Sequence, residues 1–397
     1  METISIFAAL ISVMVALLST CLIMNKLVAS SPHGRFVTID GLRGYLAFFV
    51  FLHHSCVWYY YLQTGVWELP PFRVFVHFGQ IGVALFFMIT GFLFFNKLLD
   101  DRDRGVDWLR LYVSRFLRLT PLYLFSTALM FLIVWIVTKD DPAQPIGKIL
   151  SGAMKWIGFR IYGAPDLNGM LGTRHISAGV TWTLPYEWFF YLFLPFIALA
   201  VGIKAPIRYL VIAVFAVYVF NSKGYSSYFG WLFLGGIVSA IMVRYDRFNA
   251  FAVSKLAACI VVCAIALTII LYPTIYDESL PVVLLVVAFS LIAGGNSLFG
   301  LLRLKVSRSM GEMAYGIYLL HGILLFVIFK FGFGSTIASQ LTPLQYWSVI
   351  ILATPVLIFV CGLTFRLIEK PSMMRVGALT DWIRSKKKVK LESESAR

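Results

Sequence analysis

Arg43 and His54 stand eleven residues apart, in Ile39-Asp40-Gly41-Leu42-Arg43-Gly44 and His53-His54-Ser55, with only apolar or aromatic residues between the two clusters. Eleven helical residues rise about 16 Å through about three turns, so both side chains share one face. Charged and imidazole groups inside a membrane helix are costly and are functional candidates by default. The spacing suits a donor whose anionic head is gripped by a guanidinium at the membrane surface while an extended arm carries its reactive end to an imidazole. Acyl-coenzyme A (acyl-CoA) has that shape. An arginine grips phosphate with two charge-assisted hydrogen bonds, and a histidine can take the proton of a hydroxyl as it attacks a thioester. Read singly, Arg43 would mark a membrane boundary and His54 would satisfy an interhelical hydrogen bond; the pair in phase favours chemistry.

Other polar residues join them. Glu187, in Trp182-Thr183-Leu184-Pro185-Tyr186-Glu187, lies a short way in from the outer end of its helix and is expected to orient a histidine or contact sugar hydroxyls. His321, in Tyr315-Gly316-Ile317-Tyr318-Leu319-Leu320-His321, falls at a depth comparable to His54. Arg115 and Arg118 share a helical face at the cytoplasmic surface and, with Asp40 beside Arg43, complete the donor-side set; arginines so placed also serve as plain orientation signals. The segment Gly82 to Phe92 puts Thr90 among small residues, a pattern that points to close helix packing.

The elements that must hold these residues are membrane helices. Of 397 residues 60% are hydrophobic and 13% charged, with a mean hydropathy of +0.84, a balance that no soluble core could hide from water. Runs of about twenty apolar residues occur near 4–27, 44–62, 78–99, 119–138, 180–203, 207–221, 227–243, 252–272, 280–300, 311–331 and 346–367, giving an all-α bundle of about eleven spanning helices: about ten core helices and one extra at the N-terminus. The organisation expected is that extra helix in 1–35, one membrane domain over 36–371 and a basic tail over 372–397. The first run lacks a basic leader and is too long for a secretory signal, so it reads as a retained helix.

Net charge is +15, yet the cations gather in short loops: Lys26 and Arg35, Asp100 to Arg118, Lys204 and Arg208, Arg244 and Arg247, Arg303 to Arg308, and the tail Lys386-Lys387-Lys388. That distribution argues membrane orientation and against nucleic-acid binding. It places the N-terminus outside and the C-terminus in the cytoplasm. The loop 139–176, with Pro142, Pro145, Pro165, Asp166, Asn168, Arg174 and His175, then faces outward, as an extracytoplasmic ligand site or a solvated connection. Cys21, Cys56, Cys259, Cys263 and Cys361 all fall in apolar runs and read as small core residues, with no metal site.

From about residue 36 to residue 371 the chain resembles the integral membrane acyltransferase-3 family, which O-acylates bacterial surface polysaccharides and related molecules. The resemblance rests on Asp40-Gly41-Leu42-Arg43-Gly44 with a histidine eleven after the arginine, on Gly82 to Phe92, and on Arg115, Arg118 and Pro121. It continues in Trp182-Thr183-Leu184 with Glu187, Phe190, Tyr191 and Pro195, in Tyr318-Leu319-Leu320-His321, and in Glu369-Lys370-Pro371. It implies that His54 is the catalytic histidine, that Arg43 is the donor-side arginine, and that no metal takes part. Thr183 stands where that family usually has serine, and Trp188 where a second acidic residue is frequent. The function expected is transfer of an acyl group, in the simplest case from acetyl-CoA, to a hydroxyl of a lipid-linked or surface carbohydrate at a bacterial inner membrane. A transporter using the same charged residues as a relay is the rival reading, against which stands the lack of an internal repeat.

Overall fold

Helix follows helix along the whole chain because the apolar runs have no water with which to satisfy their backbone and must satisfy it internally. The structure, a computed structural model, describes residues 2–28, 36–140 and 144–395, without the side chains of 2–5 and 387–395. Arg35, Pro142 and the side chains of Lys387 and Lys388 therefore lie outside the described residues. In chain order the helices are α1 (Glu2–Ile23), α2 (Val37–Thr64), α3 (Arg73–Asp100), α4 (Trp108–Thr138), α5 (Ile146–Ile157), α6 (Thr183–Ala200), α7 (Ile207–Ser222), α8 (Tyr228–Met242) and α9 (Asp246–Ala252). They continue as α10 (Lys255–Leu271), α11 (Ser279–Ala293), α12 (Lys305–Glu312), α13 (Ala314–Phe326), α14 (Gly334–Ser339), α15 (Pro343–Thr364), α16 (Lys370–Met374) and α17 (Val376–Ser395).

This is a polytopic helical membrane protein. Among the described residues, six helical stretches are long and apolar enough to cross a bilayer by themselves: Ile6–Ile23, Arg73–Asp100, Trp108–Thr138, Val180–Ala200, Ala314–Gly332 and Pro343–Lys386. The helices α8 and α9 meet at a bend of 107° and together form a seventh candidate, while α7, α10 and α11 are shorter apolar helices. The remaining run of the sequence falls in α2, where Asp40, Arg43, His53 and His54 dilute the hydropathy of a 28-residue helix. All eleven runs are thus helical, although five of them, in α2, α7, α8, α10 and α11, are shorter or more polar than a span of about twenty apolar residues.

Two boundaries differ from the apolar runs in a way that matters. Helix α2 starts at Val37, so Asp40 and Arg43 lie inside it and keep the helical phase with His54. Helix α4 starts at Trp108 because the Asp107 side chain caps it, accepting from the Arg110 N–H at 3.2 Å. Arg115 and Arg118 are therefore helical residues well inside that element, three apart on it as their spacing implied. At its far end α2 stops at Gly65, whose φ of 74° is a left-handed cap that favours glycine.

Around the site the helices approach closely. A Cβ on Gly91 of α3 would stand 2.2 Å from the Phe233 carbonyl oxygen, and one on Gly236 of α8 would stand 2.0 Å from that of Met88. The small residues expected in the Gly82 to Phe92 segment are, at Gly91, backbone-to-backbone packing. Helix α17 packs on α4, with Arg384 Nη2 2.6 Å from Asp107 Oδ2, so the basic tail is tied to the cap of α4. Burial works against ionisation of Asp107, but its hydrogen bonds from Arg384 and the Arg110 N–H outweigh it and hold the carboxyl below the ordinary aspartate range.

Candidate active site

Helices α2 and α13 pack together and bring His54 and His321 into contact: His321 Nε2 lies 3.1 Å from His54 Nδ1. Each ring also reaches the carbonyl one turn earlier on its own helix, His54 Nδ1 to Val50 O at 3.0 Å and His321 Nδ1 to Ile317 O at 2.8 Å. A carbonyl only accepts, so both Nδ1 atoms carry the proton in this network. Neutral His321 then has its lone pair on Nε2, where it accepts a share of the His54 Nδ1–H. The lone pair of His54 is left on Nε2, the arrangement of a base whose tautomer is fixed by a second group. His53 points elsewhere: its Nδ1 donates to Phe75 O at 2.8 Å and its ring fills the space opposite Gly79 of α3, so it is a packing residue.

Toward the Arg43 end of the bundle lies a cavity of ≈ 140 Å³, and its lining includes Arg43, Arg115, Arg118, Glu187, Tyr191 and Thr90. Arg43 is oriented by Asp40 at 2.7 Å, and its Nε is buried without a partner. Arg115 lies 5.0 Å over the ring of Phe94 and donates from Nε to Ser114 Oγ at 3.3 Å. Three guanidinium groups on two helices thus line one cavity, a chemistry suited to pairing with an anion. Asp40 is not part of the lining; among the donor-side residues it holds Arg43 and does not face the cavity.

The deep end is closed by Tyr318, whose hydroxyl lies 2.9 Å from both Thr183 Oγ1 and Val180 O. Tyr318 precedes His321 by three residues on α13, and their ring centroids are 6.4 Å apart. The histidine pair sits just beyond this closure; neither His54 nor His321 belongs to the cavity lining.

Glu187 corrects one expectation. It accepts a hydrogen bond from the Tyr191 hydroxyl and faces the arginine-lined cavity, so its partner is a tyrosine one turn along α6 and not a histidine. Sequence reasoning gave no role to Tyr191 or Tyr318, or to Glu369, whose Oε2 lies 3.5 Å from Arg118 Nη1. The signal for Glu369 was present: an acidic residue closing a long apolar run directly before Lys370-Pro371.

At the opposite end of α2 a second cavity, of ≈ 240 Å³, has Trp58, Tyr61, His175, Phe326, Phe329 and Lys330 in its lining. Trp58 is one turn along α2 from His54, and its indole N–H is buried without a partner. His175 stacks on Trp67 at 4.5 Å between ring centroids, and burial, with Arg174 next to it, lowers its pKa from the ordinary histidine value. The histidine pair therefore stands between an arginine-lined cavity and an aromatic one.

Helical architecture defines an integral membrane protein, and the buried histidines and arginines give it the groups that group-transfer chemistry uses. The family model described as an acyltransferase domain matches residues 36–366, and the chain belongs to that family, acyltransferase-3. It is similar to nodulation protein 10 of Rhizobium leguminosarum bv. viciae, at 31% identity over 166 residues, which is 39% of this chain and 42% of that relative. The matched part is thus less than half of the relative's length. No solved structure matches.

Proposed function

We propose that the protein moves an acyl group from acyl-CoA to a hydroxyl of a carbohydrate, with His54 as the general base. The observation that carries this reading is the contact of His54 with His321 beside a cavity furnished with three arginines. The arginines would take the donor phosphates, and the pantetheine arm would pass Tyr318 to bring the thioester to His54. The acceptor would enter from the Trp58 end, where aromatic faces and an unpartnered indole N–H suit a sugar ring.

The chemistry then balances without another reagent. His54 Nε2 takes the hydroxyl proton as the oxygen attacks the thioester carbonyl. The carbon–sulfur bond breaks, and the departing sulfur recovers the proton from the His54 imidazolium. His321 keeps the proton of His54 on Nδ1 throughout and stabilises the transient cation. The donor side would be cytoplasmic and the C-terminus with it, as the basic loops favour. Nodulation protein 10 lends the reading only its membership of the same family.

Purified protein in proteoliposomes, incubated with labelled acetyl-CoA or succinyl-CoA and candidate glycans, tests it. Labelled glycan that depends on His54 supports the reading. Unlabelled glycan with movement of solute across the bilayer would replace it by transport.

A further inference from the structure

Among the carboxylates near the arginine-lined cavity, Glu369 differs from Asp40 and Glu187 in lacking a hydrogen-bond partner. Asp40 holds Arg43 at 2.7 Å and Glu187 accepts from Tyr191. Glu369 has a side chain that is 0% exposed, and both of its carboxylate oxygens are buried without a hydrogen-bond partner. Its nearest cation is Arg118, with 3.5 Å between Nη1 and Oε2, and that same Nη1 is aimed at Met373 Sδ at 3.1 Å.

A carboxylate kept only to fasten a helix is expected at hydrogen-bonding distance from its arginine, as Asp40 is. One buried this deeply and held this loosely costs more in desolvation than the pair returns. Arg118 lines the cavity and Glu369 does not, so the guanidinium stands between the cavity and the carboxylate. Glu369 is set there by an i→i+5 turn over Phe365–Glu369, a local widening of the helix that places one extra residue at this point. Gly316 of α13 faces it, at a distance from Oε1 that is ordinary van der Waals contact for a Cβ.

We propose that Glu369 is the resident counter-ion of the donor cavity: it holds the Arg118 charge while the cavity is empty and competes with a donor phosphate for it when the cavity is filled. Glu369 is then a positioning residue that acts through Arg118 and touches no substrate. It sets how tightly a polyphosphate donor is bound, weakening capture so that spent coenzyme A can leave. This inference rests on the donor reading proposed above.

The test is titration of free coenzyme A into purified protein in nanodiscs by calorimetry, paired with the thermal midpoint of each variant. Wild-type protein is expected to bind coenzyme A. Glu369→Gln, with Arg118 released, should bind it about fivefold tighter, while its midpoint without ligand falls and is restored by saturating coenzyme A. Glu369→Asp, which keeps the charge but withdraws it by one methylene, should move affinity in the same direction by less, and it serves if the glutamine variant does not fold. In an Arg118→Gln background, Glu369→Gln should leave coenzyme A affinity unchanged, because the competition runs through that one guanidinium. A glutamine variant that binds coenzyme A no tighter than a wild-type protein that does bind it overturns the counter-ion role alone. Wild-type protein that fails to bind coenzyme A overturns the donor reading and this inference with it.

Discussion

The hydroxyl of Tyr318 is shared with Thr183 across two helices, 2.9 Å apart, one turn before His321 on α13. The bond forms the boundary between the arginine-lined cavity and the histidine pair. It also ties the start of α6, which carries Glu187, to the helix that carries His321.

Breaking that bond should loosen the site without removing any reacting group. Tyr318→Phe and Thr183→Val each remove the shared bond while Val180 O still takes the remaining hydroxyl, and each should destabilise the protein by about 0.5–1.5 kcal/mol. Thr183→Ser keeps the hydroxyl and should melt within a degree or two of wild type. Thermal unfolding in detergent ranks the three. A serine variant as unstable as the valine variant would show that the methyl packing matters and the hydrogen bond does not.

The two histidines should fail differently. His54→Ala should remove the base and lower acyl transfer by about a hundredfold or more. His321→Gln, which can still accept the His54 Nδ1–H, should retain more activity than His321→Ala. His53→Ala should leave turnover largely intact but cost stability, because it removes the ring's bond to the Phe75 carbonyl and opens a space against Gly79. Rates normalised to folded protein separate these outcomes, and equal loss in the His53 and His54 variants would remove His54 from the role of base.

For Arg43 the expected signature is in donor affinity. Arg43→Ala should chiefly raise the KM for acyl-CoA, and Arg43→Lys should recover part of that loss by restoring charge without the planar fork. Asp40→Asn should give a smaller rise, since it frees Arg43 without removing it. Donor titrations in proteoliposomes give the comparison; an unchanged donor KM in Arg43→Ala would exclude the donor-clamp role.

Docking of α17 on α4 should respond to acid. Asp107 has its pKa lowered in the folded protein, so the stability it contributes is present above the ordinary aspartate pKa and is lost as pH falls through the lowered value. Limited proteolysis of the C-terminal segment should accelerate in that acidic window, and Arg384→Ala should produce the same acceleration at neutral pH. A segment equally resistant in the Arg384→Ala protein would show that the ion pair does not hold it.

What could be read without coordinates follows from what is local. Arg43 and His54 lie on one helix, so a period of 3.6 residues was enough to relate them. Contact of His54 with His321 joins residues 267 apart, and only a shared membrane depth hinted at it. For Glu187 a histidine or a sugar hydroxyl was the expected contact, whereas the structure pairs it with Tyr191, four residues on and visible as an i,i+4 pair. Arg115 and Arg118 were placed on one helical face by their spacing, but charge alone did not show where their helix begins. Asp107 just before Trp108 was the better guide, since a capped helix can carry arginines into the bundle.

The widened turn at Phe365–Glu369 gives this part of the chain an unusual arithmetic. It contains one residue more than an α-helix needs, and each residue of an α-helix turns the chain by about 100°. Loss of a single residue here would let the helix close into regular α form and swing either Glu369 or all of α15 out of register with α13. Length, as much as residue type, is therefore under constraint in this segment: a one-residue deletion at a stretch where the apolar character would hardly change should disable Arg118 more surely than many substitutions would.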